Sequence, residues 1–324
     1  MKAAIRTQYG PPEVLDVREV PKPTPKDNEL LIRVHATTVN RTDCGVLWGA
    51  PFVFRFFTGL TRPRHATTGT DFAGRVEAVG ARVTAFKPGD RVFGFDDNGL
   101  PSHAEYMTLA EDRPVALIPA GRSYPEAAAS IEGAHYAYNY ARAIQKRGAK
   151  QVLVYGATGA IGSAAVQILK AAGLYVTAVC NTKNMETVRA LGPDKVVDYE
   201  REDFTQDSER YDAVLDAVGK SEFGVCKKLL RESGGVYMSS ELGPRAENVY
   251  LPLLSPFMGP KKVAFPIPVD IKGSLRHICS LIEAGKFRPL IDRTYPLEQI
   301  REAFAYVHSG QKTGNVILEM AAEE

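Results

Sequence analysis

Short apolar runs separated by turn residues characterise the N-terminal part of the chain, and no helical period of hydrophobic residues stands out there. The runs at residues 30–35, 74–79 and 91–95 are typical of β-strands, and the Lys-Pro-Gly-Asp sequence at residues 87–90 is typical of a tight turn. We therefore predict an all-β domain without helices over residues 1–121.

The pattern changes after residue 150, where runs of β-branched residues alternate with segments of helical period. Such alternation predicts a parallel, doubly wound α/β sheet, which we place in a domain over residues 122–266. The predicted strands are residues 152–154, 175–180, 195–198, 211–216 and 235–239, and the predicted helices include residues 185–191 and 223–230.

The C-terminal segment returns to mixed structure. Its pattern predicts helices at residues 272–284 and 297–309 and a strand at residues 315–319. We expect this segment to pack back onto the first domain, so that residues 267–324 complete it.

The most informative segment is the glycine turn between the first strand of the predicted parallel sheet and the following helix. Glycines let the backbone approach a pyrophosphate closely, and the first N–H groups of a helix attract its negative charge. A strand, a glycine turn and a helix in this order begin a dinucleotide-binding unit. The predicted cofactor contacts in the turn are Gly156, Ala157, Thr158, Gly159, Ala160 and Ile161.

Composition excludes several other functions. The 324 residues carry a net charge of +2 without a basic block, which argues against nucleic-acid binding. No apolar stretch is typical of a signal peptide or a membrane span, so we expect no membrane association and a cytoplasmic protein. The cysteines lie apart from one another, as is typical of a reducing compartment: Cys44, Cys180, Cys226 and Cys279.

Several motifs follow one another along the chain: GTDFAGRVEAVG, FKPGDRVFG, YGATGAIGSAAVQ, YDAVLDAVG and KTGNVILEM. Together they resemble the medium-chain dehydrogenase/reductase superfamily, and most of all its zinc-free quinone oxidoreductase branch. The resemblance implies a GroES-like β-domain, a Rossmann domain over residues 122–266 and an active-site cleft between them. It also implies a homodimer in which edge strands of two Rossmann sheets pair, and the apolar run within residues 249–264 supports that expectation.

The same resemblance bears on metal binding. Zinc-dependent members use a cysteine, a histidine and a further ligand, with the fourth position open to substrate. Asn40 stands in the place of the cysteine and Thr70 in the place of the histidine, so we predict no metal. The alternative is an irregular site formed by Cys44 with His65 or His103. Without zinc no strong Lewis acid polarises an alcohol, which favours reduction of a quinone or an activated double bond.

The residues after the second predicted strand bear on the choice of cofactor. A site for NADH usually has an Asp or Glu there, whereas this chain has Asn181, Thr182 and Lys183. Lys183 is placed to meet a 2′-phosphate, and by resemblance Tyr199 lines the same phosphate pocket. We therefore predict NADPH as the cofactor. The alternative is a solvated Lys183 and a surface aromatic at Tyr199.

The remaining cofactor contacts follow from the resemblance. Each lies at the carboxyl edge of a parallel strand or in a loop above it, where ligands of such sheets bind. Core packing is the alternative role for two of them, Val218 and Phe265. The full set is Val218, Gly219, Met238, Ser239, Ser240, Phe265, Gly314 and Asn315.

Three residues are candidates for catalysis: Asn40, Glu132 and Tyr136. By resemblance Asn40 lies near the nicotinamide, where it bonds the ribose or substrate or braces its loop, and Asp43 is a structural cap or an acid. A buried Glu132 would have a raised pKa and could donate a proton, and Tyr136 could donate to an enolate oxygen. The alternative for Tyr136 is packing. The aromatic segment at residues 48–60 is either a lid over an apolar substrate or a cluster that anchors a long loop.

These observations predict an enzyme that transfers hydride from NADPH to a small apolar quinone or α,β-unsaturated carbonyl compound without zinc. Two alternatives stay open, a non-catalytic NADPH-binding protein and a zinc-dependent alcohol dehydrogenase. Turnover of NADPH with a panel of quinones would distinguish the predicted enzyme from a non-catalytic binding protein, and metal analysis would distinguish it from a zinc-dependent alcohol dehydrogenase.

Overall fold

A computed structural model describes residues 1–52 and 54–320. The chain divides into two compact units. The first contains Met1–Glu132, Ile271–Glu283 and the chain from Arg288 onward, and the second contains Gly133–Asp270 and Ala284–Phe287. The domain boundaries predicted at residues 121 and 266 stay predictions.

The first unit is built mainly from β-strands. Its N-terminal elements are β1 Lys2–Ile5, β2 Asp16–Glu19, β3 Glu29–Val39, α1 Arg41–Trp48, α2 Phe54–Thr58, β4 Asp71–Val79, β5 Arg91–Phe95, β6 Tyr106–Ala110, β7 Val115–Leu117 and α3 Tyr124–Ala129.

Six parallel strands and five helices form the second unit, in agreement with the predicted α/β class. Its elements are α4 Glu132–Gln145, β8 Gln151–Tyr155, α5 Ala160–Ala171, β9 Tyr175–Cys180, α6 Met185–Arg189, β10 Lys195–Asp198, β11 Ala213–Asp216, α7 Phe223–Cys226, β12 Val236–Ser239, α8 Glu247–Leu254 and β13 Lys262–Ala264. The C-terminal elements, which belong to the first unit, are α9 Ile271–Glu283, β14 Ile291–Pro296, α10 Ile300–His308 and β15 Asn315–Glu319.

Strand β3 is the centre of the first unit. It pairs with β4, β6 and β15, all antiparallel, and its inward residues Leu30, Ile32 and Val34 are buried in the core. The strand predicted at residues 315–319 is confirmed, and Val316 lies opposite Val39 in its register with β3. The C-terminal segment therefore completes the sheet that the N-terminal residues begin.

The prediction of an N-terminal domain without helices was wrong, because α1 follows β3 directly. Its start is a capping box: the Asn40 side chain accepts from the Asp43 N–H, and the Asp43 side chain accepts from the Asn40 N–H. Its end is Gly49, which adopts a left-handed conformation at φ 60°. Only Asp43, Cys44 and Leu47 of α1 are buried, so the helix shows too little hydrophobic period to be recognised.

The second unit contains one parallel sheet in the order β10-β9-β8-β11-β12-β13. Because the chain runs outward from β8 through β9 and β10, and then resumes on the other side at β11, the strand order reverses between β8 and β11. In open parallel sheets ligands bind at the carboxyl ends of the strands beside such a reversal. The glycine turn follows β8, so it lies at this point.

No helix among the described residues is long and apolar enough to cross a membrane. The predicted cytoplasmic location stays a prediction.

Candidate cofactor site and candidate active site

The turn after β8 owes its shape to glycine. Gly156 has a φ of 80°, and its N–H donates to the Val179 carbonyl at 3.2 Å. A Cβ on Gly156 would lie 2.5 Å from Cγ1 of Val218, and a Cβ on Gly162 would lie 2.1 Å from the Gly156 carbonyl oxygen. The folded chain therefore needs glycine at both positions, one for backbone conformation and one for the close packing of α5 on the turn.

Gly159 is different, because the chain's own packing does not require a glycine there. Its φ of −72° is open to any residue. A Cβ would meet only ordinary contacts, at 3.7 Å from the Gly156 oxygen and 3.8 Å from Val218. Gly159 is the N-cap of α5, and it supplies no capping side chain to the first N–H groups of that helix. A bare backbone beside these N–H groups is what a pyrophosphate requires.

The other predicted turn residues lie around this opening. Ala157 is buried, and its N–H donates to the Val179 carbonyl at 3.1 Å. Thr158, Ala160 and Ile161 are half-buried. The structure thus brings the predicted residues of the turn together in one short segment.

Val218 is held over the turn by Asp216, a residue that the sequence analysis did not identify. Asp216 is fully buried at the end of β11 and accepts from the N–H groups of Val218, Gly219 and Ser221 at 3.1, 2.8 and 2.9 Å. Its pKa is raised by burial, which outweighs these hydrogen bonds. The sequence did contain a signal for Asp216, because this acidic residue ends a strand that is otherwise apolar.

The carboxyl end of β12 contains a polar atom that needs a partner. Ser239 is buried, and its carbonyl accepts from the Tyr140 hydroxyl at 2.8 Å. The next side-chain oxygen, Oγ of Ser240, is buried without a hydrogen-bond partner in the part of the chain that the structure describes. Buried hydroxyls are nearly always bonded, so this atom suits contact with a ligand. Phe265, the first residue after β13, is half-buried.

The residues after β9 carry carboxylate partners that were not anticipated. The Thr182 hydroxyl donates to Oδ2 of Asp198 at 2.6 Å, and the Thr182 N–H donates to Oε2 of Glu200 at 3.1 Å. Oδ1 of Asn181 accepts from the Asn184 amide at 2.6 Å. Asp198 ends β10, which pairs with β9, and Glu200 lies in the turn after it, so the linear sequence does not show that the two acids reach Thr182.

Lys183 and Tyr199 lie exposed in the same region. The Tyr199 ring is 6.2 Å from that of Tyr155, which stacks on Phe204 at 4.8 Å. These rings contribute to an open depression of 410 Å³, lined by Tyr155, Tyr199, Glu200, Arg201, Glu202, Asp203 and Phe204.

In the first unit, both the oxygen and the nitrogen of the Asn40 side-chain amide are hydrogen bonded. Oδ1 accepts from the Asp43 N–H at 2.9 Å, and Nδ2 donates to Oγ1 of Thr70 at 3.0 Å. The two residues that stand in the places of zinc ligands are therefore bonded to each other. Asp43 acts as the cap that the sequence analysis offered as one of its two roles.

The irregular metal site that was left open is not assembled in this structure. His103 is buried, with Nε2 3.0 Å from the Thr38 carbonyl and Nδ1 2.7 Å from the Thr68 hydroxyl. Because a carbonyl only accepts, the ring is the neutral Nε2–H tautomer, and burial lowers its pKa to about 4. Burial raises the pKa of the Cys44 thiol to about 12. His65 is exposed, and no group of three or more metal-binding side chains occurs among the described residues.

Asp71 fixes the backbone that precedes Asn40, and it too was missed by the sequence analysis. This fully buried carboxylate accepts from the Thr38 N–H at 2.7 Å and from the hydroxyls of Thr38 and Thr37 at 2.5 and 3.1 Å. Burial raises its pKa to about 6, against an ordinary value of 3.8. The end of β3 is thereby tied to the start of β4.

Glu132 is buried in the same unit. Its pKa is raised well above the usual range, first by burial and then by the negative charges of Asp43 and Asp71, while a hydrogen bond from Thr42 opposes the rise. Lys312 was overlooked in the sequence. Burial lowers the pKa of Lys312, and the negative charge of Glu132 raises it. The raised pKa predicted for Glu132 therefore has its cause in burial and in the neighbouring negative charges.

Tyr136 follows Glu132 by one helical turn of α4, so both side chains leave the same face of that helix. Tyr136 is half-buried, and its ring lies 5.6 Å from that of His135. It belongs to the second unit, whereas Asn40 and Glu132 belong to the first.

Gly314 and Asn315 lie in the first unit and are bound to Leu290. Gly314 has a φ of 79°, and a Cβ there would lie 2.2 Å from the Leu290 oxygen. The N–H and the Nδ2 of Asn315 donate to that oxygen at 2.8 and 3.0 Å. These contacts give both residues a structural role, and their contact with a cofactor stays a prediction.

The aromatic segment contains a local cluster. Phe52 and Phe56 meet edge to face at 5.7 Å and are both exposed, while Trp48 stacks on His308 at 4.6 Å. Arg55 lies over the Tyr9 ring at 4.7 Å. The segment is thus anchored through Trp48 and Arg55, and a lid role stays a prediction. Residue 53 lies outside the described residues.

Two protein families match parts of the chain. Residues 26–120 match the alcohol dehydrogenase GroES-like domain, and residues 191–318 match the zinc-binding dehydrogenase family.

Individual proteins match over nearly the full length. The chain is 31% identical to a chloroplastic quinone oxidoreductase of Triphysaria versicolor, over 93% of this chain and 92% of that protein. It is 29% identical to a 2-methylene-furan-3-one reductase of Solanum lycopersicum, over 98% of this chain and 79% of that protein. The structure of a quinone oxidoreductase from Coxiella burnetii is similar with a TM-score of 0.82 and 26% identity, covering 99% of each chain.

The buried Asp71 carboxyl predicts a specific dependence of stability on pH. Because its pKa is about 6 in the folded chain and 3.8 ordinarily, the folded state holds this proton more tightly between those values. The stabilisation is complete below the lower value and is lost as the pH rises through the upper one. Relative to Asp71→Asn, the free energy of unfolding of the wild type should fall by up to about 3 kcal/mol between about pH 4 and pH 7 in urea titrations.

Asp16→Asn, which removes an exposed carboxylate from β2, is the matched control variant. A difference between wild type and Asp71→Asn that stays constant with pH would show that Asp71 does not titrate in this range.

Proposed function

The chain belongs to the quinone oxidoreductase-like branch of the medium-chain dehydrogenase/reductase superfamily, and from that premise we propose that it is an NADPH-dependent reductase of quinones or α,β-unsaturated carbonyl compounds. The observation that carries the proposal is Gly159, which is bare beside the N-terminus of α5 although neither its backbone nor its packing requires glycine. The named activities of the relatives, quinone oxidoreductase and furanone reductase, support the substrate class.

The residues of the second unit suit a nicotinamide dinucleotide. Gly159 and the first N–H groups of α5 would hold the pyrophosphate, and Val218 would lie beside it at the end of β11. The unpartnered Ser240 hydroxyl and the neighbouring Ser239 would contact the ligand at the end of β12, with Phe265 after β13. When bound, the reduced cofactor supplies a hydride.

NADPH rather than NADH is favoured by the exposed Lys183, whose cation suits a 2′-phosphate, with Asn181 and Tyr199 beside it. Oδ1 of Asn181 already accepts a hydrogen bond from the Asn184 amide, so Nδ2 of Asn181 is the atom that would donate to the phosphate. Thr182, whose hydroxyl and N–H both have carboxylate partners, is a weaker contributor than the sequence indicated.

We assign the chemistry to Tyr136 and Glu132, and a positioning role to Asn40. Addition of hydride to an enone leaves negative charge on the carbonyl oxygen, and the Tyr136 hydroxyl would donate a hydrogen bond to it. The raised pKa of Glu132 keeps its carboxyl protonated at a higher pH than an ordinary glutamate, so it would deliver the proton that carbon requires. Asn40, whose amide is bonded to Asp43 and Thr70, would brace the loop between them.

We further propose that the reaction is independent of zinc. The Asn40 amide donates to the Thr70 hydroxyl, and neither group has the charge or basicity that zinc ligands offer. The nitrogens of His103 are both within hydrogen-bond distance of other groups. Activity assays should therefore be unaffected by EDTA.

NADPH should bind more tightly than NADH by about tenfold, because Lys183 attracts the 2′-phosphate. Lys183→Ala should remove most of this preference and leave the Kd for NADH nearly unchanged, as measured by fluorescence titration. Lys146→Ala, which removes another exposed lysine of the second unit, is the matched control. Equal affinity of the wild type for both cofactors would refute the assignment to NADPH.

Tyr136→Phe should lower kcat for an enone by about a hundredfold, in line with the loss of one oxyanion donor. NADPH affinity should barely change, and quinone turnover should fall less because a quinone is already strongly electrophilic. Tyr138→Phe removes a hydroxyl from a different face of α4 and should have little effect. Enone turnover of Tyr136→Phe within twofold of wild type would make Tyr136 a packing residue. NADPH binding by the wild type without turnover of any enone or quinone would instead favour the non-catalytic alternative.

We propose a homodimer that forms through β13. This strand ends the second sheet, and α8, which packs on it, exposes Leu253 and Leu254, while Phe257 is 88% exposed. Pairing of two β13 edges would satisfy backbone groups and cover these side chains. Light scattering at micromolar concentration should give the mass of two chains, and Phe257→Glu should shift it toward one. A single-chain mass for the wild type counts against the dimer.

A further inference from the structure

The turn after β10 places the Glu200 carboxylate against the Thr182 N–H, a possible hydrogen-bond donor of the proposed phosphate subsite. Oε2 of Glu200 accepts from the Thr182 N–H at 3.1 Å. Thr182 immediately precedes Lys183, the residue to which we assign the 2′-phosphate. A phosphate that approached Lys183 would find the neighbouring backbone N–H already bonded to a carboxylate.

The position of Glu200 is determined by Asp198. Oδ1 of this buried carboxylate accepts from the Glu200 N–H at 3.0 Å, and Oδ2 accepts from the Thr182 hydroxyl at 2.6 Å. The Tyr199 N–H donates to the Cys180 carbonyl at 3.0 Å. Both strand ends are therefore tied together, and the Glu200 side chain is held within reach of Thr182.

We propose that Glu200 is a specificity-determining residue that weakens the binding of 2′-phosphorylated nucleotides. The inference rests on the proposed use of NADPH and concerns a competition within that site. A phosphate and a carboxylate are both acceptors, so they cannot share the single Thr182 N–H. They also repel each other, so the carboxylate must leave its position when the phosphate enters.

Glu200 is the acid of this region whose side chain is free to move away from the Thr182 N–H when a phosphate binds. It is exposed, and its side chain makes a hydrogen bond only to the Thr182 N–H among the contacts of the described chain. Asp198 is buried, holds two donors and lies 3.6 Å from Nε of Arg201. Asp203 is engaged with Thr205 and Gln206. Glu200 thus opposes the attraction of Lys183 and limits how strongly the chain prefers the phosphorylated cofactor.

The test uses two nucleotides that differ only in the disputed group, adenosine 2′,5′-diphosphate and 5′-AMP, with binding measured by calorimetry. Glu200→Gln keeps the shape of the side chain and removes its charge. We expect about fivefold to tenfold tighter binding of the diphosphate, with 5′-AMP within about twofold of wild type. Glu202→Gln removes the same charge from the same depression and should have a much smaller effect.

Salt provides a second readout. Because the repulsion between Glu200 and the phosphate is exposed to solvent, the gain in Glu200→Gln should shrink as the ionic strength rises. Unchanged affinity for both nucleotides in Glu200→Gln overturns the proposal, as does an equal gain in Glu202→Gln. Weaker binding of 5′-AMP also overturns it, since Glu200 would then be an acceptor for the ribose hydroxyls.

The outcome is separable from that of the proposed function. The ratio of wild-type affinities for the two nucleotides tests the preference for a 2′-phosphate, whereas the change from wild type to Glu200→Gln tests Glu200. A wild type without preference that acquires one in the variant would support the role of Glu200 and refute the preference of the natural chain for NADPH.

Discussion

The close packing of α5 on the end of β8 is the constraint from which the candidate cofactor site follows. Because Gly162 lies against the Gly156 carbonyl, the helix begins directly above the carboxyl end of the central strand. Its first N–H groups then point into the region where the strand order reverses. Any side chain at Gly162 would displace the helix, and with it the positive end that attracts a phosphate.

The first unit depends on a different principle, the confinement of several carboxyl groups in a region that water does not reach. Burial raises the pKa of Asp43, Asp71 and Glu132. The charge of Asp71 adds to the rise at Asp43, and the charges of Asp43 and Asp71 add to the rise at Glu132. Each carboxyl has a separate local partner: Asn40, Thr38 and Thr42. Burial and neighbouring negative charge both favour the protonated form of a carboxyl group, so Glu132, which experiences both, is well suited to hold a proton.

Much of the fold was predictable because buried parallel strands must be apolar on both faces. Residues 175–180 and 195–198 correspond to β9 and β10 without any shift. Helix α1 was not recognised, since its evidence was a pair of capping residues, Asn40 and Asp43, rather than a hydrophobic period. The glycine turn was predictable because one short segment contains it. Glu200 and Asp216 were not, because their partners become neighbours only when the strands pair or the loop folds.

The pairing of β15 with β3 has a consequence for how the chain acquires its structure during synthesis. Val316 lies opposite Val39, so the central strand of the first sheet pairs with a segment that the ribosome makes only after the whole second sheet. The second unit, formed largely by the continuous segment Gly133–Asp270, has its whole parallel sheet available earlier. Domains usually fold in the order of their synthesis, from the N-terminus onward. Here the order is reversed: the unit that contains β1 to β7 is the later one to be completed. Until β15 is made, residues 36–39 of β3 lack this partner strand and are open to pairing with other chains.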